Sequence, residues 1–334
     1  MACQTLSGLL DGRPRLAERN GRVLLTQLPY DDLGRATEGQ AANQRDDVVF
    51  ITARFRSGST LLWNLFRNVP GCTAYYEPFN ERRWFDPDAR GNRIDRTHKQ
   101  VEEYWREYDG LDELGRYYRE AWIDKNLLME ADFWAPEMKR YIELLIERAP
   151  GRPVLQFNRV DFRLPWLRRH FPNAKFIHLY RHPRDEWCST LMGIRCFPKD
   201  ASPAEFKKHD KFYLLRWAHD LKFHFPFLEQ ALERHPYEAF YYIWRLSYLY
   251  GTAYANHSIC FERLVEEPDE ELTKLLGFTK IDASCHDALR RVIERPRIGQ
   301  WRDYADDAWF RNIEARCEAV LQEFLNREAV CAQR

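Results

Sequence analysis

One junction constrains this chain more than any other. Asp47-Val48-Val49-Phe50-Ile51-Thr52 is a short apolar, β-branched run, the pattern of a buried strand. It leads through Ala53-Arg54-Phe55 into Arg56-Ser57-Gly58-Ser59-Thr60, and then into Leu61-Leu62-Trp63-Asn64-Leu65-Phe66, whose apolar residues have helical spacing. The order is strand, tight Ser/Gly loop, helix. Gly58 permits a positive φ and close backbone approach. The N–H groups from Ser57 to Leu61 then converge at a helix N-terminus, where the dipole and the free donors favour an anion. Ser57, Ser59 and Thr60 add hydroxyls, and Arg56 adds a fixed charge. A phosphate or sulfate fits this point. The loop differs from a Walker A loop, in which a Lys follows the Gly and a hydroxyl holds Mg²⁺; here the basic residue precedes the Gly. The same residues would also serve a plain strand-to-helix turn with an N-capping Ser.

A second junction has the same form. Ala174 to Tyr180 reads as a strand and Arg184 to Ile194 as the helix after it. Between them lies Arg181-His182-Pro183, with Pro suited to a helix start. Arg181 at the strand end can grip a phosphate with its guanidinium fork, and Ser189 follows two turns into the helix. Alternatively, the Arg caps carbonyls and the Ser packs within the helix. Further strands are read at Cys72–Tyr76, Pro153–Asn158 and Ser258–Phe261. Helices are read over 97–150, as two aromatic-rich helices over 203–255 broken near Pro226 and Pro236, over Asp269–Leu276 with Gly277 as its C-cap, and over Trp309–Ala329. Alternating strands and helices imply an α/β, P-loop-like three-layer fold: a central, mostly parallel sheet flanked by helices. In such sheets ligands bind beyond the carboxyl ends of the strands, where both junction loops fall. Residues 1–46 read as an extension. Residues 47–334 read as a single domain with helical insertions at about 80–150 and 196–255.

Composition narrows the function classes. The chain has 51 basic and 51 acidic residues, so no overall field points to nucleic acid, and any anion site must be a local cluster. The eight cysteines are scattered without metal-ligand spacing, which suits reduced thiols rather than a disulfide framework. No run of 18 apolar residues is long enough to span a membrane, and the first ten residues lack the basic start of a signal peptide. A cytoplasmic protein is the expectation.

Taken together and in this order, the two loops resemble those of the sulfotransferases that use 3′-phosphoadenosine-5′-phosphosulfate (PAPS). In that family the first loop binds the 5′-phosphosulfate end, and an Arg and a Ser eight positions apart bind the 3′-phosphate; Arg181 and Ser189 have that spacing. Arg295-Pro296-Arg297-Ile298-Gly299-Gln300-Trp301-Arg302 is similar to the family's basic, Gly-containing segment ending in Gly-x-Trp-Lys/Arg. Cys260-Phe261-Glu262-Arg263-Leu264 through Pro268 is similar to its strand, acidic residue, Leu and Pro-headed helix. The form Arg-Ser-Gly-Ser-Thr, with Tyr76-Glu77-Pro78-Phe79 some twenty residues on, resembles the branch that includes bacterial carbohydrate sulfotransferases. The resemblance runs from residue 48 to about 305. The chain departs from many cytosolic members in having Gln156-Phe157-Asn158-Arg159 where a Lys-Thr-His element carries a His base. It also has Phe261 where a Tyr often stands near the adenine.

The resemblance implies that Arg56, Ser57, Gly58, Ser59, Thr60, Leu61, Arg181, Ser189, Phe261, Arg295, Arg297 and Trp301 contact PAPS. Which of Arg295 and Arg297 reaches the 3′-phosphate stays open. No metal is required. Arg56 would stabilise the charge growing on the leaving phosphate, help commonly worth about 3 kcal/mol per donor. Glu77 would take the proton from an acceptor hydroxyl; otherwise it is a solvated loop residue before Pro78. His178 reads as a core residue or as one that supports the site from behind, while His182 and Arg184 fall near the donor. Arg159 either orients an anionic acceptor or pairs with a surface acid. The acceptor is expected to be a sugar or small molecule, given the Trp-rich insertions; the oligomeric state is open. Two rivals share the first loop. A P-loop phosphotransferase needs a Mg²⁺-binding Asp, for which Asp161 is the candidate. A non-catalytic nucleotide-binding module would lack a base.

Overall fold

The computed structural model describes residues 41–332, with 96, 97, 99 and 192 excepted. The expected extension lies, through residue 40, outside the described residues. Its last part is tied to the body: the Asn43 N–H donates to the His170 carbonyl at 2.7 Å, and Arg45 Nη1 donates to the Ile146 carbonyl at 2.9 Å.

Strand β1, Val49–Ala53, is buried at all five positions, as its unbroken apolar run requires. Helix α1, Ser59–Arg67, follows the loop, and β2, Cys72–Tyr76, comes next. After a long insertion, α2 (Pro136–Arg148) leads to β3 (Arg152–Phe157), α3 (Leu164–His170), β4 (Lys175–Tyr180) and α4 (Pro183–Thr190). Helices α5 (Leu214–Leu221) and α6 (Pro236–Tyr254) precede β5 (His257–Cys260). Then come α7 (Phe261–Glu266), α8 (Pro268–Thr279), α9 (His286–Val292) and α10 (Asp307–Ala332).

The strands form one five-stranded parallel sheet in the order β2-β3-β1-β4-β5. Val49 of β1 pairs with Val154 of β3 on one side and Lys175 of β4 on the other. The chain leaves β1 toward β2, then returns past β1 to reach β4. Connections reverse direction between β1 and β4, and the crevice at the carboxyl ends of those strands is the switch point where ligands bind in open α/β sheets. The loops after β1 and β4 both open there.

The insertions differ from their sequence expectation. Of 97–150 only α2 is a full helix; before it come short 3₁₀ turns at Arg106–Tyr108, Asp112–Arg116 and Glu120–Ile123. Gly110, at φ 78°, turns the chain between the first two. The aromatic residues here pack on the sheet rather than spacing a helix: Tyr104 stacks on Tyr76 with centroids 4.6 Å apart, and the Tyr108 hydroxyl donates to the Tyr76 carbonyl. Residues 203–255 hold four helices rather than two, since Pro203–Phe206 and Phe227–Ala231 form short ones beside α5 and α6. The breaks at Pro226 and Pro236 fall where expected. Gly277 lies inside α8, which continues because Thr279 is buried on its core face; the left-handed cap is Lys280 at φ 57°. Phe261 opens α7 instead of ending β5.

Candidate active site

The first loop is braced from within. The Ser57 N–H and hydroxyl both donate to the Arg54 carbonyl, at 3.3 and 2.6 Å, and Ser57 is fully buried. Its hydroxyl therefore shapes the loop instead of facing a ligand. Gly58 takes φ 97°, and the first intrahelical bond runs from Leu62 N–H to the Gly58 carbonyl. The N–H groups of Ser59, Thr60 and Leu61 are thus the first-turn donors without helical acceptors. These three residues, with Arg56, line a cavity of about 570 Å³. Thr60 Oγ1 lies 3.0 Å from the Tyr76 hydroxyl and 3.3 Å from His98 Nε2. Burial pushes the His98 pKa down to about 4, against the pull of Asp95, so the imidazole is neutral near pH 7.

Arg56 joins the two junction loops. Its Nε donates to Ser189 Oγ at 3.0 Å, and its Nη1 sits 3.4 Å from Asp95 Oδ2. Arg181, just past β4, donates from Nη1 to the Arg56 carbonyl at 3.1 Å. The Arg181 guanidinium lies over the Phe261 ring at 4.9 Å. That ring presses on Gly58 from the other side, where an added Cβ would meet Phe261 Cδ2 at 2.2 Å. Gly58, Phe261 and Arg181 form one stack, which only a glycine at position 58 allows. Buried Arg181 Nε has no hydrogen-bond acceptor, with Glu262 no nearer than 3.9 Å. A phosphate oxygen suits that donor.

The third segment is fastened to the same helix. Asp185 of α4, nearly inaccessible, accepts the N–H groups of Gly299 at 2.7 Å and Trp301 at 3.1 Å. Arg295 lines the cavity, with Nη2 3.4 Å from Glu266. Arg297 pairs instead with Asp303 at 2.7 Å, and the Trp301 ring lies against Arg184 at 4.8 Å; neither is in the cavity wall. Arg184 faces away from the cavity and grips Glu314 and Asp307 of α10. The His182 ring caps α4 by accepting the Arg184 N–H. His178 is buried in β4, and burial drops its pKa to about 4.

Glu77 stands at the carboxyl end of β2, at φ 40° and buried rather than solvated. Its Oε2 accepts from Asn80 Nδ2 at 2.6 Å and Arg159 Nη1 at 3.2 Å, and its Oε1 accepts from Asn158 Nδ2 at 2.5 Å. A carboxylate offers about four lone-pair directions, so Oε1 keeps one for a further donor. Arg159 is matched twice, by Glu77 and by Glu81 at 2.6 Å. Beyond Glu77 the cavity wall is aromatic and polar, with Trp84, Tyr104, Phe212 and Tyr213 beside Asn80, Arg82 and Lys211. Asp161, the Mg²⁺ candidate of the kinase reading, instead accepts from Thr52 Oγ1 at 2.8 Å and faces Arg54 at 3.5 Å.

Residues 48–284 match the sulfotransferase family. The chain belongs to that family. Its activity is transfer of a sulfuryl group from PAPS to an acceptor. No curated protein matches this sulfotransferase. Solved structures similar to it include the sulfotransferase STF9 from Mycobacterium avium, at 12% identity and a TM-score of 0.46, covering 84% of this chain and 76% of that one. Mouse sulfotransferase SULT7A1, solved with PAP, is 13% identical with a TM-score of 0.41, covering 87% and 92%. The sulfotransferase domain of a Synechococcus olefin synthase is 17% identical with a TM-score of 0.37, covering 86% and 96%.

Around one cavity this sulfotransferase gathers Arg56, Gly58, Ser59, Thr60, Leu61, Glu77, Arg181, Ser189, Phe261 and Arg295. Ser57, Arg297 and Trp301 stand outside it. The sequence reading passed over Asn80, His98 and Asp185. Asp185 is adjacent to a quoted motif, but an Asp in a first helical turn reads as a dipole partner. Asn80 and His98 carry no local signal. Among the described residues no helix is long and apolar enough to cross a membrane.

Proposed function

We propose that Arg56 and the α1 N-terminus hold the 5′-phosphosulfate of PAPS, that Arg181, Ser189 and Arg295 hold its 3′-phosphate, and that Glu77 deprotonates a hydroxyl on a sugar or a ring-bearing small molecule. The observation that carries this reading is the single cavity shared by the two anion loops and Glu77. The free acceptor position on Glu77 Oε1 suits an incoming hydroxyl, and the orphan Nε of buried Arg181 suits a phosphate. PAPS supplies the sulfuryl group and a leaving phosphate on which negative charge grows. Arg56 and the N–H groups of Ser59, Thr60 and Leu61 neutralise that charge without reorganising, because the loop is braced beforehand. Rings at Trp84, Tyr104 and Tyr213 support stacking of an acceptor ring, and Asn80 and Arg82 supply polar contacts around it. Six free cysteines among the described residues support a reducing compartment such as the cytoplasm.

The test is thermal shift and calorimetric titration with PAP (3′-phosphoadenosine-5′-phosphate), set against Mg-ATP, followed by an acceptor screen with PAPS. PAP alone should stabilise the protein, by about 2.7 kcal/mol at 100 times its Kd. Stabilisation by Mg-ATP alone would overturn the assignment of the two anion loops.

A further inference from the structure

Behind the donor loop lies a cluster of charge that the reaction does not touch. Arg54, Asp161 and Glu186 are buried, at 6%, 2% and 0% exposure. Arg54 Nη1 stands 3.5 Å from Asp161 Oδ2 and its Nε 4.0 Å from Glu186 Oε1, while its guanidinium covers the Trp217 ring at 4.8 Å. Each partner comes from a different part of the site. Arg54 begins the first loop, Asp161 follows the Asn158–Arg159 pair that holds Glu77, and Glu186 sits in α4 between Arg181 and Ser189. We infer that Arg54 is a positioning residue for sulfuryl transfer, fixing the first donor loop against α4 and the Glu77 support. This rests on the donor-site assignment above.

The link from Arg54 to the reacting groups is covalent and short. Its own carbonyl accepts both Ser57 donors, so the position of the Arg54 backbone sets the turn that presents Arg56 and the α1 N-terminus. Its side chain lies between the Trp217 ring and the two buried acids, within reach of their charge but with Nε and Nη1 making no hydrogen bond. Clamping by charge at 3.5–4.0 Å is a poor way to gain stability, since desolvating buried ions commonly offsets their attraction. It is a good way to fix a direction, because a misplaced loop would leave the charge unmatched. The groups facing Glu186 are Arg54, Arg181, Asp161 and Glu262. With Glu186 in its neutral form, Arg54 and Asp161 balance each other.

The experiment compares wild type with Arg54→Met, Arg54→Lys and Asp161→Asn in the full chain, scoring PAP affinity by calorimetry and kcat by PAP release from PAPS with a fixed phenol. Positioning predicts that kcat falls about 10- to 100-fold in Arg54→Met, because a small misplacement from a residue outside the chemistry is felt in rate. It also predicts PAP affinity within about 3-fold, partial recovery in Arg54→Lys, and Asp161→Asn moving in the same direction. The deciding readout is a double-mutant cycle with Arg56→Ala: the Arg54→Met loss should largely vanish once Arg56 is gone. Additive losses, or an unchanged kcat per PAP-binding site, would overturn the proposal. If Arg54→Met does not fold, Asp161→Asn, which removes the charge facing the Arg54 guanidinium, must show the same split between rate and affinity. Failure of wild type to bind PAP would instead strike the donor-site assignment.

Discussion

Replacing Glu77 with Gln separates its proposed role as a base from its role as a brace. The carboxylate accepts three hydrogen bonds, and an amide of the same shape can keep all three contacts. The Gln carbonyl would face Asn80 and Arg159. Its NH₂ would then face Asn158, now donor against donor. Asn158 can turn its amide and accept with Oδ1, since its present acceptor bond comes from Gln156 Nε2 at 2.6 Å. Gln156 can turn in response, because its Oε1 has no partner now. The flip travels down the chain and ends at Gln156, whose buried group without a partner becomes the NH₂ instead of the carbonyl. The other cost is the exchange of a charged acceptor for a neutral one at Arg159, which keeps Glu81; that is about 1 kcal/mol. The chemical loss is larger. A positioned general base contributes about 10²- to 10⁴-fold, or about 2.7–5.5 kcal/mol in the barrier. The assay is PAP release from PAPS across a panel of acceptors graded in acidity, from sugars and simple phenols to nitrophenols already ionised at neutral pH. Glu77→Gln should lose the full factor on weakly acidic hydroxyls and less than about tenfold on ionised ones. A uniform loss across the panel, or a loss below tenfold on sugars and phenols with PAP affinity intact, would refute the base assignment.

Other perturbations read other parts of the site. Arg181→Ala should weaken PAP about 10- to 100-fold by calorimetry, the loss of a charge-assisted contact, and should also lower the melting temperature without ligand, because the bond to the Arg56 carbonyl and the cover on Phe261 go with it. Gly58→Ala should lower both melting temperature and PAP affinity, because φ 97° and the Phe261 contact at 2.2 Å both oppose a Cβ. Adding Phe261→Ala removes the clash but opens a cavity, so the double variant should be more stable than the sum of the two single losses predicts. Glu186 has its pKa raised from 4.5 to about 8, chiefly by burial. Its folded-state pKa exceeds the unfolded one, so its stabilising contribution is whole below pH 4.5 and is lost as pH climbs toward 8. Against Glu186→Gln, which cannot ionise, wild type should lose up to about 1.4 kcal/mol per pH unit in that window, measured by urea unfolding at stepped pH.

The frame of this fold was legible because most of its strands are short apolar, β-branched runs that alternate with helical segments. The insertion at 97–150 was legible only at its end, where Tyr141, Leu144 and Leu145 keep helical spacing; the short 3₁₀ turns before it carry no such period. Single residues divided in the same way. Arg56, Arg181 and Ser189 sit in local motifs whose geometry follows from strand, loop and helix. The two arginines of the third segment look alike in sequence, yet one turns to the cavity and the other to Asp303. The partners of Glu77 come from Asn158 and Arg159, 81 and 82 residues away, and no periodicity carries that information. Arg54 and Glu186 drew no reading from the sequence, and Asp161 only one as a Mg²⁺ candidate, because charged residues are ordinarily exposed and only the crossing of three chain segments buries these.

The strand order has a consequence for how the molecule is made. β1 sits in the middle of the sheet, but both of its neighbours are synthesised long after it, and β4 last of the two. Until then the segment Val49–Ala53 offers two open edges of an apolar ribbon, the kind of surface that joins other chains. Arg56 and Ser189, bonded in the finished site, are 133 residues apart, so the pairing is entropically late and slow. On the donor assignment proposed above, nucleotide binding cannot begin on a half-made chain. A PAP-affinity column would retain finished molecules and let stalled or truncated ones pass.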